Sequence, residues 1–396
     1  MKLLVCNAGS TSLKFKLFEM PSESLLATCS IERIGSNNDA IYRYQNCIRG
    51  VSSLRENAHI PDYRVGVDAF FNDLLAGDNG VIESVDEIRR IGFKTVLAKN
   101  YFGIHHLTEN VKKGMRDWEM ISPVHTKAYL QAIETMEEFF PSALCIGVFE
   151  TAFHRTIPLF RSIYAVPYDW HEKFGLQRMG YHGASHSHVA MLLAHENRSH
   201  KAISCHLGGS CSICAIHDGK SIYNSFGLSL QSGVIHANRA GDMDGDLYMF
   251  LEACGLSPAK IEEGIQKNGG LLGISGVSND LRYVLDAAEK NNARAQLAVD
   301  AFVDSIVRHA GSAYAVLGGL SDLVFTGGIG QHSDVIRRMV CDKLSHMGVL
   351  LDHEKNTKHA ADAVLSTTES PVVIRIVTAN EELVVARHAF QYKHHQ

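Results

Sequence analysis

The chain has no apolar run approaching the roughly 20 residues that a membrane-spanning helix needs. It has no low-complexity segment, no long linker and no block of like charge. Its 38 basic and 43 acidic residues leave a net charge of −5. That balance argues against general nucleic-acid binding and gives no reason for a membrane surface. A cysteine framework is also missing. The nine cysteines are odd in number and scattered, most of them in apolar runs such as those around Cys6, Cys145 and Cys205. Buried free thiols in a reducing cytoplasm are therefore expected. Cys211 and Cys214 form a lone Cys-x-x-Cys, three apart and so on opposite faces of a strand. With no second pair, a metal or redox role is not expected. The opening residues 1–6 read as a strand and not as a signal peptide, because a polar turn follows at once.

What is present suits a large globular protein. Across 396 residues, 45% are apolar and 20% charged, enough for two domains with a core each. The densest stretch is 202–219. A short apolar strand runs into His206, Gly208 and Gly209 follow, and an alternating strand leaves from about Ser212 to Ile216. A glycine hairpin of this kind leaves backbone N–H groups free to form an anion nest, although many such hairpins are plain turns. Residues 3–18 repeat the design: a buried strand, a polar turn of Asn7, Gly9, Ser10 and Ser12, and an alternating strand through Lys14 and Lys16. Two similar hairpins about half a chain apart suggest a duplicated domain. Two facing loops could hold a nucleotide phosphate chain between them.

Taken in order, residues 2–33 read as three strands and 34–62 as irregular and polar. Residues 63–76 have helical apolar spacing and end at Gly77. Ile91 to Leu97 reads as a buried strand carrying Lys94, which must reach a partner, point to a cleft or sit at an exposed edge. Helices are expected near 109–120 and 124–139. The strand from Ser142 to Phe149 delivers Glu150 just past its end, a common catalytic position in α/β folds, though a helix-start carboxylate would look the same. Gly180 to His188 precedes an apolar helix at 189–195, for which Ser185 suits the N-cap. Among its three histidines, His182 between small residues is the functional candidate, with His186 and His188 structural or solvated. Arg239, in a run dense in glycine and charge, suits either a carboxylate or phosphate fork or a surface ion pair. Helices are expected at 246–254, 258–268, 279–290 and 293–317. A strand at 323–326 enters Gly327-Gly328-Ile329-Gly330 before a helix from about Ser333, a nucleotide-binding arrangement. A last strand at 372–377 precedes a final helix and a frayed terminus at 393–396.

Eight blocks, in order, carry a resemblance over nearly the whole chain. They are Asn7–Lys14, Gly147–His154, Gly180–His186, His206–Gly208, Asn238–Asp244, Gly270–Arg282, Phe325–Gly330 and Thr378–Leu383. As a set they identify a chain that resembles the acetate kinase (acetokinase) family, propionate kinases included. The resemblance implies an α/β protein of the actin-like ATPase fold, with two duplicated RNase H-like domains around a nucleotide cleft. The first domain spans 1–150, with 381–396 packing back on it, and the second spans 151–380. It implies reversible transfer of the ATP γ-phosphoryl to a short-chain carboxylate, acetate or propionate, with ATP and Mg²⁺ required. It also implies a cytoplasmic homodimer.

Position by position, the resemblance assigns Asn7 and Glu381 to the magnesium side and Lys14, with Ser10 and Ser12, to phosphate. It assigns Glu150, His182 and Arg239 to catalysis. His206, Leu207, Gly208, Gly209 and Ser210 match a nucleotide loop, as do Asp280, Leu281 and Arg282, and Gly328, Ile329, Gly330, Gln331 and His332. Lys94, Val96, Val124, Tyr181 and Leu230 fall where the family binds the acyl acceptor. This sequence departs from the family pattern in several places. Lys94 stands for a substrate-binding arginine and loses its planar fork. Glu150 stands for an aspartate, one methylene shorter. Gly209 stands for an asparagine in the phosphate loop, and Leu230 for a proline. These changes gather on the acceptor side and around the phosphates, so the alternative is a nucleotide-binding paralogue with weak or no kinase activity. A hydroxyl-acceptor kinase of the same fold class fits the blocks less well.

Overall fold

The computed structural model describes residues 1–9, 11–36, 38–75, 77–196, 200–359 and 361–393, with the backbone alone at 123 and 124. Two compact units emerge. One comprises Met1–Ala152 with Asn380–Gln396, the other Phe153–Ala379.

The first unit is built on an eight-stranded sheet. β1 (Lys2–Gly9), β2 (Ser12–Glu19), β3 (Ser24–Glu32), β4 (Ala40–Asn46) and β5 (Val51–Ala58) form an antiparallel meander. β6 (Ile88–Thr95) lies parallel to β1, β8 (Leu144–Phe149) lies parallel to β6, and the short β7 (Ile104–His106) closes the edge. The order is β5-β4-β3-β2-β1-β6-β8-β7. Leu3, Leu4, Val5 and Cys6 are all buried, as a central strand covered on both faces requires. Helices α1 (Tyr63–Leu75), α2 (Glu109–Asp117) and α3 (Pro123–Phe139) follow the expected spans. Phe70 of α1 stacks on Phe15 of β2 at 4.4 Å.

One expectation fails here: residues 34–62 are not irregular, since they hold β4 and β5. Ala40, Tyr42, Tyr44 and Asn46 alternate inward, a period-two signal that the intervening polar residues hide. The Tyr42 hydroxyl can be buried because it donates to Asp73 at 2.6 Å, and Arg55 donates to the same carboxylate.

The second unit repeats the design. β9 (Lys201–Leu207), β10 (Cys211–His217) and β11 (Lys220–Asn224) form the meander, and β12 (Asp322–Thr326) and β13 (Val373–Ile376) extend it in parallel. The order β11-β10-β9-β12-β13 matches β3-β2-β1-β6-β8 strand for strand. This is the duplication that the two hairpins foretold. Short helices α4 (Leu159–Ser162) and α5 (Tyr168–Phe174) precede α6 (Gly183–Ala194), which covers one face of the sheet through Val189, Ala190 and Leu193. After α7 (Leu247–Ala253), α8 (Pro258–Gln266), α9 (Gly270–Ser275) and α10 (Leu281–Glu289), the long α11 (Ala293–Leu317) covers the other face. Its buried residues Ala295, Ala298, Val299, Phe302, Val303, Ile306, Ala310, Ala313 and Leu317 form one stripe at helical spacing. The Asn292 side chain caps its start, and Gly318, at φ +63°, ends it.

Two local readings need correction. α6 begins at Gly183 and not at 189, and its N-cap is His182, with φ +56°. Ser185 lies inside the helix, where its hydroxyl meets His206 Nδ1 at 2.8 Å. The small residues Gly183, Ala184 and Ser185 let the first turn bury completely, which apolar spacing alone does not reveal. Similarly, the glycine turn after β12 is itself helical, α12 (Gly327–His332), before α13 (Asp334–Lys343) and α14 (His353–Thr357). Among the described residues, no helix is long and apolar enough to cross a membrane.

The chain then returns to the first unit as α15 (Glu381–Gln391). Val385, Ala386 and Ala389 pack on Leu3, Val5, Ile146 and Val148. The approach is close enough that a Cβ on Gly92 would lie 2.9 Å from Val385 and 3.1 Å from Ala389. Polar contacts pin both ends of the helix. Lys16 meets Glu382 at 3.1 Å, and Arg387 forks onto Glu23 at 2.6 and 2.8 Å. Arg90 caps the last carbonyls, those of Ala389, Phe390 and Tyr392.

The Arg387 hydrogen bond holds the Glu23 carboxyl below its ordinary value. For Glu382, burial pushes upward but Lys16 outweighs it, and the net shift is also downward. Both groups therefore stabilise the docked helix fully above the ordinary carboxylate pKa and lose that effect as pH falls through their folded values. Hydrogen exchange corrected for intrinsic rates should show residues 381–391 losing protection ahead of β1 below about pH 4. Equal loss at both sites would contradict this account.

Candidate active site

In the first unit, the parallel strands β1, β6 and β8 end side by side. Asn7 stands near the end of β1, Lys94 near the end of β6, and Glu150 one residue past β8. The Glu150 N–H bonds to the Thr95 carbonyl at 2.8 Å, which carries the ladder one step further. The start of α15 adds Glu381. Lys94 Nζ lies 2.6 Å from Glu381 Oε2 and 3.5 Å from Glu150 Oε1. Of the open readings for Lys94, the structure selects the first: it reaches partners.

All three groups are largely removed from water, with 16%, 5% and 14% side-chain exposure for Lys94, Glu150 and Glu381. Burial opposes the ammonium charge, but the fields of Glu150 and Glu381 overcome it and hold the Lys94 pKa well above that of ordinary lysine. The cluster is thus two carboxylates converging on one cation. Lys14 pairs with Asn7 across the β1–β2 ladder and is exposed. It lines an open cavity of about 510 Å³ with Lys16 and Glu382. Ser12 is half-buried at the start of β2. Val96 is buried just after β6. Val124 lies in the first turn of α3, its side chain outside the description, and Ser10 lies outside the described residues.

In the second unit, His182 and His206 stack with centroids 4.1 Å apart. His182 Nδ1 meets the Ser212 hydroxyl at 2.8 Å, and Phe226 stands edge-on to the ring. A non-glycine residue at φ +56° costs roughly 1 kcal/mol, a strain found most often where a side chain must be held in one place. Tyr181 is buried, with its hydroxyl bonded to the Leu228 carbonyl and its own carbonyl accepting from His154 Nε2 at 2.9 Å. Burial lowers the His154 pKa to about 4, so that ring is neutral. Arg239 is no surface ion pair: its Nη1 donates to the Leu230 carbonyl at 2.6 Å. Burial lowers its pKa to about 10, which leaves it charged at neutral pH. Leu230 itself is buried.

The parallel pairing of β9 and β12 sets Thr326 beside His206 and brings the two glycine turns together. Gly327 has φ +76°, and a Cβ there would lie 2.6 Å from the Leu207 carbonyl; only glycine fits. A Cβ on Gly209 or Gly328 would meet nothing within 4 Å, so these backbones face open space. That space is a cavity of about 650 Å³, lined by Gly208, Gly209, Asp280, Leu281, Arg282, Gly328, Ile329 and His332 among others. His206, Leu207, Ser210, Gly330 and Gln331 do not line it. Arg282 forks onto Asp280, whose carboxyl this hydrogen bond holds below its ordinary value.

Sequence reasoning missed several residues here. Asn279, Ser333 and Asp334 also line the cavity. Arg337, fully buried, donates to the carbonyls of Gly330 and Gln331 at 2.9 and 2.7 Å and to Asn356. It pins the loop from beneath. Only its position one turn after the Ser333 cap hinted at that. Among the described residues, no group of three His, Cys, Asp or Glu could hold a metal ion.

Comparison with known proteins agrees with the blocks read from the sequence. The pattern of the Acetokinase family matches residues 2–387. The chain is 38% identical to the acetate kinase of Dictyoglomus thermophilum over 397 residues, covering 98% of each. Among solved structures it is similar to Porphyromonas gingivalis acetate kinase, with TM-score 0.86, 33% identity and 98% of each chain covered. It is also similar to a propionate kinase from Francisella tularensis, with TM-score 0.89, 29% identity and coverage of 99% of this chain and 100% of that one.

Lys94→Met would leave two buried carboxylates facing each other without a cation. It should cost about 3–5 kcal/mol in urea unfolding, against far less for Lys94→Arg. Equal stability of the two variants would contradict the cluster as described.

Proposed function

Because the chain belongs to the acetokinase family, we infer that it is an ATP-dependent phosphotransferase with a carboxyl group as acceptor. It moves the γ-phosphoryl of ATP to acetate or propionate, giving an acyl phosphate and ADP, reversibly. The observation that carries this reading beyond the family match is the stacked His182–His206 pair, two residues before an open glycine nest.

Phosphoryl transfer asks for little covalent chemistry from the protein. A carboxylate oxygen forms a bond to the γ-phosphorus while the bond to the β-phosphate oxygen breaks, and the leaving pair stays on ADP. The protein must position these groups and offer donors to the equatorial oxygens. In the second unit, the N–H groups at Gly208, Gly209 and Gly328 hold phosphates, and the 280–282 loop bounds the nucleoside side of the cavity. Arg239 is aimed by the Leu230 carbonyl and stays charged; with His182 it meets the moving phosphoryl. In the first unit, Lys14 contacts phosphate, and Lys94 supplies the positive charge for the acceptor carboxylate, with Val96 as an apolar neighbour in the chain; in the second unit, Tyr181 and Leu230 are the apolar candidates for the acyl group.

The donor set fits Mg²⁺. Asn7, Glu150 and Glu381 offer only hard oxygen ligands, and the two carboxylates already converge on one cation. Asn7 and Glu381 would hold the ion, with Glu150 acting through water, and the ion would neutralise phosphate charge. The nine cysteines are all free, seven of them buried, which suits the reducing cytoplasm. A homodimer is expected through the second unit, which exposes Phe160, Trp170, Phe174, Met249 and Phe250. Light scattering should return twice the chain mass, and a monomer would remove this part of the reading.

One observation favours the alternative of a nucleotide-binding chain with weak kinase activity: Lys94 is already held by Glu381 at 2.6 Å. A hydroxamate assay with Mg-ATP across formate, acetate, propionate and butyrate decides between them. The kinase reading expects acyl phosphate from acetate or propionate, reduced about 100-fold or more in Arg239→Ala. ATP binding without product from any acid would establish the alternative.

A further inference from the structure

Behind His182, a row of buried side chains leads away from the site. Ser212 Oγ lies 2.8 Å from His182 Nδ1 and 2.8 Å from His186 Nε2. His186 Nδ1 lies 2.9 Å from Ser204 Oγ. Ser204, His186 and Ser212 are all fully buried. Three hydrogen bonds in series need three protons, one for each. A serine hydroxyl carries one, and a neutral imidazole carries one. His186 is neutral, because burial, with His154 and His206 nearby, pushes its pKa well below the ordinary value.

Three orderings make all three bonds, and two of them run in one direction throughout. In one, Ser204 O–H donates to His186 Nδ1, His186 Nε2–H donates to Ser212, and Ser212 O–H donates to His182 Nδ1. The His182 proton then sits on Nε2. In the other, every bond runs backward: His182 Nδ1–H donates to Ser212, Ser212 to His186 Nε2, and His186 Nδ1–H to Ser204. That ordering strands the Ser204 hydroxyl proton, for which the described residues offer no second partner. An unmade donor at a fully buried atom is costly, whereas an unfilled hydroxyl lone pair is cheap. A mixed ordering, with both imidazoles donating to Ser212, strands the Ser212 proton in the same way.

We propose that Ser204, His186 and Ser212 form a proton-ordered relay that fixes the tautomer of the His182 imidazole, so that the ring when neutral is an Nε2–H donor, which makes His186 and Ser212 positioning residues for phosphoryl transfer. The functional half of this rests on the reading that His182 meets the moving phosphoryl; the tautomer does not. An imidazole free to exchange tautomers spends part of its time presenting a bare nitrogen lone pair to an anion. The relay removes that state before substrate arrives, so the donor is in place without proton uptake.

Long-range ¹H–¹⁵N NMR of histidine-labelled protein reads the tautomer directly, with the His182 signal assigned by its loss in His182→Gln. The expected result is a protonated Nε2 and a bare Nδ1 in the unmodified protein. A proton on Nδ1 overturns the proposal, and this measurement needs no relay variant to fold. Ser212→Ala should mix the tautomers and lower kcat about tenfold, with the KM for ATP moving less than about twofold. Ser212→Thr keeps the hydroxyl and should recover most of the rate. Unchanged tautomer and kcat in Ser212→Ala would overturn the relay. Full activity in His182→Ala would instead overturn the catalytic reading of His182, with the tautomer still judged by NMR.

Discussion

The ammonium of Lys94 is the contact on which the first unit depends. It joins three pieces of chain that sequence keeps far apart: the end of β6, the residue after β8, and the first turn of α15. A lone lysine at that depth would be driven to neutrality. Two carboxylates reverse the balance and make the charge itself the connector. The same contact sets the electrical character of the site. Two negative groups and one positive leave an excess of negative charge, in keeping with a place where a further cation is welcome.

Both units use one topology to present different kinds of group. In each, a meander leads through a turn, and parallel strands end beside it. In the first unit the strand ends carry side chains: Asn7, Lys94 and Glu150. In the second they carry backbone: the open glycines after β9 and β12, with imidazoles beside them. Side chains suit a small acceptor and a cation, which need point charges. Exposed N–H groups suit a chain of phosphates, which needs many weak donors along its length. Arg337 and Gly327 show how rigidly that backbone is held, one from beneath and one by its conformation.

Much of this was legible in the sequence, because the signals are local. The hairpins at 3–18 and 202–219, the strand–glycine–helix at 323–333 and the long stripe of α11 all announce themselves within some 25 residues. Features that depend on distant partners did not. β4 and β5 looked irregular because the partner that makes Tyr42 buriable, Asp73, lies on a helix further on. Ser185 looked like a cap because its true partner, His206, belongs to a strand further on. Lys94 could be seen to need a partner, but not that the partner would be Glu381. Candidate residues could be named from resemblance; their hydrogen bonds could not, and the role proposed for Ser212 rests entirely on those bonds.

The return of α15 to the first unit has a consequence for synthesis. A chain emerging from the ribosome makes β1 long before its covering helix. Until residues 381–391 arrive, Leu3, Val5, Ile146 and Val148 lack the apolar surface that shields them. The second unit has all of its own segments in one unbroken stretch and can fold while the first still waits. A transcript cut short before Glu381 would therefore yield a chain with one finished half and one sticky half, the kind of product that chaperones hold and proteases remove.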